Sequence, residues 1–130
     1  MKGAVMRVAR ACRDTEAMQA QYAAGLDLEV LSAWRDHEGF DGVVLGHANA
    51  PYHLEFIHDH HASPPPPPHE EQLLVFYLDD VAEWQRRCAA MTTAGFVAVR
   101  NGNPYWERNG CTFADAEGGR VVLNRGAWPR

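Results

Sequence analysis

The residues best equipped for chemistry crowd into one stretch, YHLEFIHDHHASPPPPPHEEQ, from Tyr52 to Gln72. It carries five of the seven histidines: His53, His58, His60, His61 and His69. His53 and Glu55 stand two apart in an alternating segment, so as strand residues they point to the same side. Two same-side donors can begin a metal site, and a histidine there can act as a general base near neutral pH. His58, His60 and His61 add donors only if the loop folds back, and their H-x-H pattern lacks the fixed spacing of a motif such as HExxH. The plainer reading of these residues is a solvated, titratable loop, and of His53 a packed or hydrogen-bonded structural histidine. The chain shows no Ser-His-Asp set, no phosphate-binding loop and no GxGxxG.

The elements that must hold these residues read as one unit written twice. AVMRVARAC alternates like a strand, with an arginine on each face. Asp14-Thr15 offers a cap to a helix over EAMQAQYAAG, with Gly25 as its stop. LEVLSAW, DGVVLG and YHLEFI read as three strands. After the prolines, LLVFYL reads as a buried strand, Asp79-Asp80 as a cap, and VAEWQRRCAAMTTA as a helix stopped by Gly95. FVAVR, CTFAD and RVVLN are strands, with NGNPYWERNG as a turn-rich piece and AEGG as a turn. The offset between the two units is roughly 70 residues. Five consecutive prolines favour an extended spacer at the join. The expected division is a first module over about residues 1–60, a proline linker over 61–70 and a second module over about 71–130.

Composition narrows the function. A chain of 130 residues with 46% hydrophobic and 22% charged residues suits one small globular domain. Its net charge of −5 and scattered basic residues argue against a nucleic-acid surface. No apolar run reaches membrane-spanning length, and the N-terminus does not read as a signal peptide. Cys12, Cys88 and Cys111 are widely spaced, without a CxxC pair, and read as reduced thiols acting as small buried hydrophobes. The expectation is a cytoplasmic protein. Trp34, Phe40 and Trp84 read as packing residues.

DTEAMQAQYAAGLDLEVL resembles the first repeat of the vicinal oxygen chelate superfamily, which includes glyoxalase I, bleomycin-resistance proteins, fosfomycin-resistance enzymes and extradiol dioxygenases. YHLEF resembles its fourth strand, and FADAEGGRVVLN its final hairpin, although Ala116 stands where the family turn usually has proline. The resemblance spans nearly the whole chain. It implies an α+β fold of two tandem βαβββ modules whose curved mixed sheets form a shared cup, and it makes a homodimer plausible.

The resemblance also implies four metal-ligand positions, and here the chain departs from it. They fall on Arg7, Glu55, Leu73 and Val122, and only Glu55 can bind a cation. The expectation is no cofactor, with an Arg7–Glu55 pair filling the space of the metal. A divalent metal remains the alternative, with His53 or the loop histidines as substitutes. The residues expected to bind a ligand are Arg7, His53, Glu55, Leu73, Val75, Tyr77, Tyr105, Trp106 and Val122. The aromatic ones would supply walls and polar tips, while a core role for Tyr105 and Trp106 stays open. The function that follows is metal-independent binding of an aromatic or amphipathic small molecule. Its rivals are a metal-dependent glyoxalase-like isomerase, lyase or dioxygenase, and a metal-free acid–base enzyme using Glu55 and Arg7.

Overall fold

A computed structural model describes residues 1–129, and the chain divides between Pro66 and Pro67 into two compact units. The first runs β1 (Met6–Ala11), α1 (Thr15–Leu26), β2 (Glu29–His37), β3 (Phe40–Gly46) and β4 (Tyr52–Asp59). Its four strands lie in the order β1-β4-β3-β2. β1 runs parallel to β4, and the other neighbours are antiparallel.

Alternation sorts this sheet into two faces. Leu54 and Phe56 turn toward α1, where Tyr22 meets Phe56 with ring centroids 4.7 Å apart. Met18, Tyr22, Leu45, Leu54 and Phe56 are buried there, each contributing about 1.5–3 kcal/mol by leaving water. Arg10 joins this face, its guanidinium 4.9 Å from the Phe56 ring. The opposite face carries Arg7, His53 and Glu55.

Asp14 caps α1, its side chain accepting from the Ala17 N–H at 3.1 Å. Gly25 does not end the helix, as the sequence suggested. It is buried inside the last turn, and the chain leaves through Asp27, which takes the left-handed conformation at φ 52°. A short polar side chain can adopt that conformation where the glycine is needed for packing.

The second unit repeats the plan: β5 (Leu73–Leu78), α2 (Val81–Thr93), β6 (Val97–Val99), α3 (Pro104–Asn109), β7 (Gly110–Ala114) and β8 (Arg120–Arg125). The strand order is β5-β8-β7-β6, again with one parallel pair, β5 and β8. Asp80 caps α2, accepting from the Ala82 and Glu83 amides. Gly95 follows that helix at φ 93°, as its place in the sequence suggested. The Trp84 indole donates to the Leu123 carbonyl at 2.8 Å and ties α2 to β8.

Two expectations need correction in detail. The piece NGNPYWERNG is not a run of turns, because it contains α3. Asn103 caps that helix and Pro104 starts it, a signal present in the sequence. Phe40 is not a packed residue, since it is 37% exposed. The final hairpin needs no proline at Ala116. The Asp115 carboxylate accepts from the Glu117 and Gly119 amides at 2.8 and 3.0 Å, and Gly118 supplies a positive φ of 87°.

Candidate functional site

In the first unit, the parallel register sets Arg7 beside His53 and Ala9 beside Glu55. All three charged or titratable side chains therefore leave the same face, away from α1. Arg7 Nε donates to His53 Nδ1 at 3.1 Å, and a terminal guanidinium nitrogen lies 3.5 Å from Glu55 Oε2. Accepting at Nδ1 leaves the imidazole proton on Nε2, where it can donate to a ligand. Gly46 lies across from His53, and a Cβ there would come 3.0 Å from the histidine Cβ. The cluster thus offers a guanidinium, an imidazole N–H and a carboxylate on one strand pair. The Glu55 side chain is 14% exposed and that of Arg7 46%, so the carboxylate is sheltered and the guanidinium half open.

The histidine-rich stretch does something else. The His60 amide donates to the Gly39 carbonyl, and its Nε2 lies 2.8 Å from Asp41 Oδ1. The same carboxylate accepts from the Asp36 amide at 2.8 Å. That hydrogen bond, followed by the His60 contact, holds the Asp41 carboxyl below its usual range, despite burial that pushes it up. His58 Nδ1 lies 3.1 Å from the Cys12 carbonyl. His69 Nδ1 accepts from the Glu71 amide. Each of these three rings is engaged locally, and His60 locks the loop onto the β2–β3 hairpin.

In the second unit, the face of the sheet away from α2 carries Leu73, Val75 and Tyr77 from β5. Their register partners are Arg120, Val122 and Asn124 on β8. A hollow of about 450 Å³ opens at one end, lined among others by Glu70, Glu71, Leu73, Asn101, Trp106 and Arg120. Arg120 lies 3.8 Å from Glu70, and Asn101 donates to Thr112 Oγ1 at 3.1 Å. Trp106 also belongs to a cluster of aromatic rings. Tyr77 meets Trp106 at 6.5 Å and Trp128 at 5.9 Å between centroids, and Trp106 meets Tyr105 edge-on at 4.7 Å. Val122 is wholly buried.

Asn124 was not among the residues singled out from the sequence. It is fully buried, yet neither atom of its carboxamide has a hydrogen-bond partner among the described residues. Its register neighbours explain this: Tyr77 on one side, and on the other Gly110, which has no side chain. A Cβ on Gly110 would strike the Leu123 carbonyl oxygen at 2.5 Å. The alternation in RVVLN places Asn124 two residues past Val122, on the same face, so a signal existed.

The metal implied by the resemblance can be tested against these side chains. In the first unit, Glu55 is contacted by a permanently charged guanidinium at the position where another ligand should be. In the second, neither Leu73 nor Val122 has a donor atom. The residues at the four positions do not fit a divalent ion.

Residues 6–57 match the YycE-like N-terminal domain, and residues 71–125 match the YycE-like C-terminal domain. The YycE protein of Bacillus subtilis is 35% identical over 122 residues, covering 94% of this chain and 88% of that protein. Its crystal structure aligns over 99% of this chain and 96% of its own, with a TM-score of 0.85 and 33% identity. The fosfomycin resistance protein FosX of Mesorhizobium loti shares the fold, with a TM-score of 0.71 at 14% identity over 98% of this chain and 95% of its own. So does TnmS3, an antibiotic binding protein of Streptomyces, with a TM-score of 0.65 at 18% identity over 95% of each chain.

Proposed function

The chain belongs to the YycE-like family, within the vicinal oxygen chelate superfamily, and from that premise we propose that it binds a small molecule without a metal ion. The ligand is aromatic or amphipathic. The observation that carries this reading is the contact of Arg7 with His53 and Glu55. A guanidinium there repels a cation, while the three polar groups remain able to orient an organic ligand. Within the second unit, the aromatic cluster around Tyr77 and the hollow beside Trp106 and Arg120 also suit a small molecule, because they set apolar walls beside a few polar groups. Sequestration of a toxic compound is the physiological role we favour. TnmS3, which shares the fold, is itself an antibiotic binding protein. We place this activity in the cytoplasm, a setting consistent with three cysteines that form no disulfide.

The test begins with elemental analysis of tag-free protein, then calorimetry with zinc, nickel, manganese and iron(II). Substoichiometric metal and weak binding are expected. Tryptophan fluorescence then screens aromatic and amphipathic compounds, since the Trp34 indole packs over Gly42 on the face that carries His53 and Glu55. A hit whose affinity drops in Arg7→Met supports the reading. One tightly held ion per chain, lost in Glu55→Ala, overturns it.

A further inference from the structure

The sequence separates Cys88 and Cys111 by 23 positions, and the fold of the second unit brings them together. Trp84 and Cys88 lie one helical turn apart on α2, so they share a face. The Trp84 indole donates to the Leu123 carbonyl, and Leu123 is the register partner of Cys111 on β7. Alternation puts Cys111 on the side of the sheet that receives α2. Cys88 and Cys111 therefore face one another where α2 packs on the sheet, near enough for the Cys111 sulfur to act on the Cys88 thiol. Both are partly exposed, whereas Cys12 is buried in the first unit.

We propose that Cys88 and Cys111 form an oxidisable dithiol, a modification site that a hydroperoxide converts to an intramolecular disulfide. Two bonds form and break in sequence. The Cys111 thiol gives up its proton and its sulfur attacks the peroxide O–O bond, which breaks; a sulfenic acid forms at Cys111, and the departing alkoxide, or hydroxide from hydrogen peroxide, takes up that proton to leave as an alcohol or water. The Cys88 sulfur then attacks the sulfenic sulfur. The S–O bond breaks, the S–S bond forms, and the Cys88 proton leaves with the hydroxide as water. The two thiols lose two electrons, and the peroxide gains them.

Burial and the neighbouring Cys111 push the Cys88 thiol up to about 12. Cys88 is therefore the partner that keeps its proton, able to donate it to its neighbour until the second step. Such a division of labour suits a pair with one attacking and one resolving sulfur. The disulfide would join α2 to β7, on the side of the sheet away from Tyr77 and Asn124.

The experiment treats tag-free, full-length protein with stoichiometric hydrogen peroxide. Free thiols are counted under denaturing conditions, and intact mass is recorded. The expected result is a fall from three free thiols to one, a mass loss of two hydrogens, and full reversal by dithiothreitol. Non-reducing peptide mapping should join the peptides holding Cys88 and Cys111. Cys88→Ser should instead leave a sulfenic acid at Cys111 that dimedone traps. The proposal is overturned if all three thiols survive. It is equally overturned if the mass only gains oxygen, or if the disulfides formed link two chains or involve Cys12. These outcomes do not depend on any small-molecule ligand, so this proposal and the binding reading stand or fall separately.

Discussion

The Asp41 carboxylate lies 2.8 Å from the Nε2 of His60 and 2.8 Å from the backbone nitrogen of Asp36. One side chain thereby joins the loop after β4 to the β2–β3 hairpin. Both contacts favour the ionised acid, and its pKa lies below the ordinary value of 3.8. The sign follows from linkage. A depressed folded-state pKa gives stability that is present above 3.8 and is lost as pH falls through the depressed value. Asp41→Asn should therefore melt below wild type at neutral pH. The gap should close in strong acid, where the wild-type carboxyl is protonated and resembles the amide. Thermal melts of both proteins across an acid series test this. A gap that stays constant with pH would show that the charge contributes nothing.

Packing on the open face of the first sheet gives a second prediction. A Cβ at Gly42 would lie 2.1 Å from Cζ2 of the Trp34 indole, and the two residues are register partners. Gly42→Ala should cost about 1–3 kcal/mol, the usual range for overpacking. With Trp34→Ala already in place, the same change should be neutral or stabilising, because alanine restricts the unfolded chain more than glycine does. Urea unfolding of the four proteins completes the cycle. Equal costs in both backgrounds would mean that the indole is not what demands glycine.

Much of this arrangement was legible in the sequence. Alternation, apolar runs and turn signals located the eight strands of the described residues, and alternation placed His53 with Glu55. It also grouped Leu73, Val75 and Tyr77, and Asp14 and Asp80 marked helix starts by their type and place. What escaped depended on register or on contacts distant in the chain. That Arg7 lies beside His53 follows from a parallel pairing, which alternation alone does not set. The contact between His60 and Asp41 needs the β3–β4 pairing to fix the hairpin and the turn after Asp59. The Cys88–Cys111 contact needs α2 laid across its sheet. Gly25 and α3 depart from the sequence pattern for a different reason. A glycine after good helix formers reads as a stop, yet burial requires Gly25 inside the last turn, and Asn103-Pro104, which reads as a turn, begins a helix.

Asn124 supplies a third prediction. A buried carboxamide without partners costs about 1–3 kcal/mol relative to a satisfied one. Leucine has similar size and no polar atoms, so Asn124→Leu should raise the urea midpoint. If the amide is retained to meet a ligand, the same variant should lose affinity for any compound found by screening. A more stable protein with weaker binding is the expected pair of results, a common exchange at functional positions. Lower stability in Asn124→Leu would instead mean that water already satisfies the amide.

Arg7 offers the strictest test of metal independence, because the prediction is a gain. A divalent ion about 4 Å from a guanidinium meets a repulsion of roughly 8 kcal/mol at an effective dielectric near 20, before solvent screening at this half-open position. One carboxylate and one imidazole do not offset that. Arg7→His removes the positive charge and puts a third donor beside His53 and Glu55, on the same face of paired strands. Two imidazoles and a carboxylate form a donor set that zinc accepts, with water completing the tetrahedron. Arg7→His should therefore bind zinc stoichiometrically by calorimetry. Arg7→Met, which removes the charge but adds no donor, should bind it weakly, and Arg7→His combined with Glu55→Ala should lose it. If Arg7→Met alone binds as tightly as Arg7→His, the charge of Arg7 was the whole barrier and the native His53 and Glu55 suffice as ligands. If wild type already binds as tightly as either, the guanidinium is no barrier and the metal-free reading of the site fails.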